Sequence, residues 1–216
     1  MLSIYGSTAW VDRIINRAYN SSMYKKLILT DADGAILDWE WAFHVWMAEH
    51  GYQRQDDAPF KYDIGKQYGI SKEEAKRQIR IFNESAAIGF LPGLRDAQYY
   101  VKRLHEEMGY RFHLITSLSK DQNAQKLRIM NVEKLFGKTA FAHYIFLDTG
   151  EDKDGILQDY KDSGLWWIED KIVNAEVGLS LGLKPLLMEH GHNMDYENPS
   201  IPRVKHWRDI YERIVG

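Results

Sequence analysis

Hydrophobic and polar positions change period several times along the chain, and each change predicts an element. Leu27-Ile28-Leu29-Thr30 is a short apolar run closed by Asp31-Ala32-Asp33-Gly34, which reads as a buried strand ending in a turn. From Trp39 the period becomes helical. Trp39, Phe43, Trp46 and Met47 share one face and Gly51 closes the run. Ser71-Lys72-Glu73-Glu74 has the form of a capping box and opens a second helix, with Ala75, Ile79 and Phe82 or Asn83 on one side, until Gly89 and Pro92-Gly93 stop it. From Leu94 onward helix and strand alternate. A stripe through Leu94, Ala97, Val101, Leu104 and Met108 is followed by a strand over 111–116 and a helix over about 119–131. Strands over 144–147 and 165–168 come next, then a helix over 173–181 and a strand over 185–188. Strands separated by helices need crossover connections, so the pattern predicts an α/β protein, a parallel sheet covered on both faces. The expected organisation is a helical extension over 1–26, a core formed by 27–38 and 90–216, and a small helical cap over 39–89 placed as a lid at the end of the first strand. In the extension, Trp10, Val11, Ile14, Ile15, Ala18 and Tyr19 form the stripe. Most such stripes pack on their own chain; a dimerisation helix, and hence a homodimer, is the alternative.

Candidate chemistry sits where strands end, since ligands of open parallel sheets bind beyond their carboxyl ends. Asp31 and Asp33 leave the first strand on the same side, and Gly34 lets the backbone turn sharply there. The pair reads as a turn, or as a nucleophilic carboxylate beside an acid/base carboxylate held by a divalent cation. A calcium loop is excluded, because its fifth, sixth and twelfth positions are Ala35, Ile36 and Ala42. Thr116 and Ser117 follow the second strand, as helix caps or as phosphoryl-binding hydroxyls. Glu169 and Asp170 follow a buried aromatic strand. Acids there are costly unless paired or metal-bound, which favours Asp31, Asp170 and the backbone carbonyl of Asp33 around a hard cation. In the charged loop 151–155, Lys153 is a candidate phosphate partner, with Lys161 as its competitor. His190 and His192 read as a surface loop.

Composition narrows this further. The chain has 216 residues, a formal net charge of −3 and no cysteine. That length supports one sizeable core, and the charge gives no general attraction to a nucleic-acid polymer or an anionic membrane. Disulfides, zinc-thiolate sites and a cysteine nucleophile are excluded. No apolar run approaches the roughly 18 residues needed to span a bilayer, so a cytoplasmic location is expected.

Four short motifs in order, Asp31-Ala32-Asp33-Gly34, Thr116-Ser117, Lys153, and Glu169-Asp170 with Asn174, resemble those of the haloacid dehalogenase superfamily around a Rossmann-like sheet. The Phe90-Leu91-Pro92-Gly93-Leu94 helix entry and the stretch from Gly178 to Gly182 resemble it too, so the likeness covers nearly everything from Leu27 onward. The resemblance implies a magnesium-dependent phosphatase of small phosphomonoesters. Asp31 would be the nucleophile and Asp33 the proton shuttle. Thr116 or Ser117 and Lys153 would hold phosphoryl oxygens, and Asp170 would bind magnesium with support from Glu169 or Asn174. Asp33 separates this reading from the dehalogenase branch, which lacks an acid there. Ala35 and Asn174 depart from the usual threonine and aspartate. Ile115-Thr116-Ser117, Ile168-Glu169-Asp170-Lys171, and His192-Asn193 with Trp207-Arg208-Asp209-Ile210 look like the deoxyribonucleotidase branch, which makes a nucleoside 5′-monophosphate the expected substrate. Trp39, Trp41, Phe43, Trp46 and Tyr52 offer aromatic surface for stacking on it from the cap, Phe43 and Trp46 foremost, although most such residues form a cap's own core. A sugar-phosphate phosphatase, a phosphomutase, and a non-catalytic assembly module are the alternatives.

Overall fold

The computed structural model describes residues 26–216, so the expected N-terminal helix lies outside the described residues apart from Lys26. Six strands form one sheet: β1 (Leu27–Thr30), β2 (Arg111–Ser117), β3 (Phe141–Leu147), β4 (Trp166–Glu169), β5 (Lys184–Met188) and β6 (Arg203–Val204). They lie in the order β3-β2-β1-β4-β5-β6 and every neighbouring pair is parallel. β1 is therefore central, with β2 on one side and β4 on the other. Its register pairs Thr30 with Leu114 and with Ile168, which brings the three strand ends to one level.

Between β1 and β2 the chain is helical: α1 (Trp39–Glu49), α2 (Ile64–Tyr68) and α3 (Lys72–Glu84), with two 3-10 turns, and then α4 (Ala97–Glu106). The later helices are α5 (Gln122–Phe136), α6 (Asp154–Leu157), α7 (Ile172–Ser180) and α8 (Trp207–Val215). Side chains alternate across each strand, so β1 feeds two cores. Ile28 packs with Phe112, Ile168 and Trp207, while Leu27 and Leu29 pack with Ile115, Trp167 and Leu183. This is the three-layer arrangement that the alternation predicts.

Several details differ from the sequence-based expectation: β3 starts at Phe141, three residues before the expected strand, and α2 stands where no helix was expected. β6, two residues long, carries too little periodicity to be read. The helix placed at about 119–131 runs from Gln122 to Phe136, because Asp121 caps it by accepting from the Ala124 amide at 2.7 Å and Gly137, at φ +97°, ends it. The capping box of α3 is half formed. Ser71 Oγ accepts from the Glu74 amide at 3.1 Å, but the Glu74 carboxylate is taken by Arg77 and Gln78.

Gly178 on α7 faces Trp167 on β4, and a Cβ there would lie 2.5 Å from the indole Cδ1. Trp167 is fully buried and donates its indole N–H to the Asn174 carbonyl at 3.1 Å, so it has no room to yield. Gly178→Ala should cost about 1–3 kcal/mol by overpacking, more than the ~1 kcal/mol that alanine gains in helix propensity. A fall in the urea midpoint checks this; an unchanged or raised midpoint contradicts the packing described.

Candidate active site

The carboxyl ends of β1, β2 and β4 open into a cleft of about 600 Å³ roofed by α1–α3. Its floor is assembled from the strand ends. Asp31, 8 % exposed, follows β1; its Oδ1 accepts from the Ala32 amide at 2.6 Å and its Oδ2 from Lys153 Nζ at 2.7 Å. Lys153, in the loop before α6, is 2 % exposed and also reaches Glu169 Oε2 at 2.8 Å. Burial works against its charge, yet the Asp31 and Glu169 carboxylates together hold the ammonium above the ordinary lysine range. The Lys153 ammonium also lies over the Trp167 ring, 5.2 Å from its centroid. Lys161 is exposed and is not among the residues lining the cleft.

The loop 31–37 is held by its own backbone and by two distant side chains. The Ala32 carbonyl accepts from the amides of Ala35, Ile36 and Leu37. Trp207 Nε1 donates to the Ala35 carbonyl at 2.7 Å, and His190 Nε2 is paired with the Gly34 carbonyl at 2.7 Å. The Ala35 side chain itself is fully buried, and the contacts that hold the loop at this residue run to its backbone carbonyl. Gly34, at φ +73°, is required twice: by its backbone conformation, and because a Cβ would lie 2.6 Å from Asp170 Oδ2.

Asp33 stands beside this cluster, its carboxylate paired with Arg128, Nη1 to Oδ1 at 2.7 Å and Nη2 to Oδ2 at 3.3 Å. Burial, with help from the Asp31 charge, outweighs Arg128 and holds the Asp33 carboxyl above its ordinary range. Sequence reasoning missed Arg128. It lies on the buried face of α5, between Ala124 and Val132, with no exposed surface at all.

Of the two hydroxyls, the structure separates what the sequence left joined. Thr116 Oγ1 is buried and has no partner among the described residues, whereas Ser117 donates to the Glu151 carbonyl at 2.8 Å. Both residues line the cleft, but only the Thr116 hydroxyl is uncommitted.

Asp31, Glu169 and Asp170 present oxygens within 4.8 Å of one another. Glu169 is fully buried and already committed: Oε2 to Lys153, Oε1 to Asn174 Nδ2 and the Lys171 amide, each at 3.1 Å. Asp170 has no comparable partner, its nearest being His192 Nε2 at 3.7 Å. Burial and then the Glu169 and Asp31 charges raise its carboxyl well above the ordinary range. Three acids with one lysine leave an excess of negative charge, and the buried Oδ1 of Asn174 lacks a partner among the described residues. A divalent cation fits this donor set, with Asp31 and Asp170 as oxygen ligands and Glu169 and Asn174 behind them. Asn174 in place of an acid adds an amide donor to Glu169 without a fourth negative charge.

Two expectations need correction. Phe43 is 1 % exposed and stacks with Trp39 and against Phe82 inside the cap; Trp46 stacks on Phe43 and His50. Neither lines the cleft, whose cap wall is made by Trp39, Tyr62, Ile64, Lys72, Lys76 and Ile79. The aromatic stripe of α1 packs inward, in the core cluster that also holds Phe82 and Ile28. His190 and His192 do line the cleft. His190 holds Gly34, the edge of the Tyr62 ring meets His192 with centroids 5.1 Å apart, and Asn193 Nδ2 donates to the Asp170 carbonyl at 2.8 Å. Among the described residues no helix is long and apolar enough to cross a membrane.

No protein-family model matches the chain. It is 23% identical over 200 residues, 89% of this chain and 70% of the other, to an uncharacterized 32.4 kDa protein from the Gp30-rIII intergenic region of Enterobacteria phage T4. Among solved structures it is similar to a haloacid dehalogenase-like hydrolase from Streptococcus pneumoniae, with 14% identity, 88% and 99% of the two chains covered, and TM-score 0.58. An L-2-haloacid dehalogenase from Xanthobacter autotrophicus with chloropropionic acid covalently bound gives 10% identity, 88% and 98% coverage and TM-score 0.57. The magnesium-bound hydrolase YfnB from Bacillus subtilis gives 16% identity, 88% and 98% coverage and TM-score 0.56. These likenesses are ones of fold, and the protein is built on the α/β fold of the haloacid dehalogenase-like hydrolases.

Proposed function

We propose that the protein is a magnesium-dependent phosphatase that cleaves a small phosphomonoester, in its simplest form a nucleoside 5′-monophosphate, through an aspartyl-phosphate. The carrying observation is the convergence of two carboxylates, a buried ammonium and one free buried hydroxyl on a single cleft. Asp31 attacks phosphorus, the P–O bond to the leaving alcohol breaks, and Asp33 passes its proton to that oxygen. Asp33 then takes a proton from water as the water oxygen attacks phosphorus, which releases inorganic phosphate and restores Asp31. A halide leaving group needs no proton, so an acid beside the nucleophile supports phosphoryl transfer over dehalogenation. The Asp33 carboxyl, raised by burial and steadied by Arg128, suits a group that must both carry and release a proton. Lys153 and the Thr116 hydroxyl would meet phosphoryl oxygens, a reading supported by their shared place in the cleft. A bound magnesium ion supplies positive charge against the phosphoryl oxygens. The rings of Trp39 and Tyr62 at the cleft wall supply stacking surface for a base.

The test is phosphate release from nucleotides, sugar phosphates and p-nitrophenyl phosphate with magnesium and with chelator. Chelator-sensitive release is expected, stronger with nucleoside monophosphates than with sugar monophosphates or p-nitrophenyl phosphate. Release of halide from 2-haloacids without phosphate release from any ester would overturn the reading.

A further inference from the structure

The cap wall of the cleft contains a feature that the reaction at Asp31 does not use. Helix α3 turns Lys72, Ala75, Lys76, Ile79 and Asn83 to the cleft, a single stripe at helical spacing. Its inner end is fixed at the phosphoryl site: Asn83 Nδ2 donates to the carbonyl of Leu118, two residues past Thr116, at 3.1 Å, and its Oδ1 accepts from Trp39 Nε1 at 2.9 Å. A helix advances ~1.5 Å per residue, so along the axis Ile79 lies ~6 Å, Lys76 ~10 Å and Lys72 ~16 Å from the level of Asn83. The stripe starts at Asn83, beside the end of β2, and ends on two ammonium groups.

Those two charges are not explained by the helix. Lysines four residues apart repel, and Lys72, in the first turn, opposes the helix dipole. Neither has a hydrogen bond or ion pair with another described residue, while Arg77 on the same helix pairs with Glu74. The acids of the cap wall are committed elsewhere: Glu40 to Arg54, and Asp63 to the Lys66 amide at the start of α2. Between the lysines and Asp31 the wall is apolar, made by Ile64, Ile79 and the ring of Trp39, whose N–H is already used. Both are exposed to solvent, yet they share one cleft with the nucleophile.

We propose that Lys72 and Lys76 bind a second anionic group of the substrate, held at the end of the α3 stripe away from Asn83. The preferred substrate is then a bisphosphate, or another doubly anionic phosphomonoester, with a largely apolar or stacking middle. This inference rests on the phosphatase reading and narrows its substrate class.

The test compares α,ω-alkanediol bisphosphates of increasing chain length with n-alkyl monophosphates of the same lengths, as kcat/KM with magnesium, at low and high salt. At chain lengths that reach the lysines the bisphosphate should be favoured on the order of tenfold, the scale of a charge-assisted contact, and salt should reduce that preference. The ratio should fall to about one in Lys72→Met/Lys76→Met and persist in Lys72→Arg/Lys76→Arg. A ratio near one at every length in the wild type, with p-nitrophenyl phosphate still hydrolysed, overturns the inference and leaves the phosphatase reading intact. A preference that survives in the methionine variant overturns it as well. If no ester is hydrolysed the phosphatase reading falls, and calorimetric binding of the same intact bisphosphates and monophosphates decides the lysine site independently, with equal affinities counting against it.

Discussion

Asp31→Asn should reduce magnesium-dependent phosphate release by about 10⁴-fold or more, the scale of loss when a covalent nucleophile is removed, while the protein stays folded. The substitution is nearly isosteric, and its oxygen still accepts from the Ala32 amide. It removes the negative charge that Lys153 meets at 2.7 Å, but Glu169 still holds the ammonium on its other side. Loss of turnover with an unchanged circular-dichroism spectrum and a similar urea midpoint is the expected pair of results. A residual rate within tenfold of wild type would show that Asp31 is not the nucleophile.

Lys153→Met should be the most destabilising single change at the site. It leaves Asp31, Glu169 and Asp170 facing one another without their cation, in a place where Glu169 has no exposed surface. Removing one partner of a buried ion pair typically costs about 3–5 kcal/mol, because the other charge stays buried and uncompensated. Turnover should fall as well, by about 10²–10³-fold, the usual cost of losing one preorganised electrostatic contact to a transition state. Chemical denaturation measures the first effect and steady-state kinetics the second. Lys153→Arg, which keeps the charge, should recover much of the stability and less of the rate. A methionine variant as stable as wild type would mean that the carboxylates around Lys153 are not charged in the folded protein.

Strands β1, β4 and β5 were legible in the sequence because they are buried on both faces and read as short apolar runs between helical stretches. Asp31, Asp33, Thr116 and Asp170 stood out for a related reason: polar residues directly after such runs must lie at the carboxyl edge, and adjacent parallel strands bring those edges together. Lys153 comes from a loop, and only its place in the order of motifs marked it. What escaped was anything set by orientation in three dimensions. The aromatic stripe of α1 looked the same whether it faced substrate or core, and the structure turns Phe43 and Trp46 inward. Arg128 was hidden because a single cation within a long helix is ordinarily solvated, and nothing local tells that its partner lies 95 residues earlier. The segment from His190 to Asn193 follows the short strand β5, and its role appears only once β5 lies beside β4 and so beside Asp170. Ser117 and Thr116 could not be ranked until alternation across β2 sent one hydroxyl to the Glu151 carbonyl and left the other free in the cleft.

The central claim is that phosphorus becomes bonded to the Asp31 carboxylate. Borohydride quenching during turnover, followed by peptide mass spectrometry, tests it most directly, because an acyl phosphate is reduced to an alcohol while a free carboxylate is not. The account predicts homoserine at residue 31, present only when substrate and magnesium are both supplied. Rapid turnover with residue 31 recovered wholly as aspartate, or the reduced residue found at another acid, would contradict it.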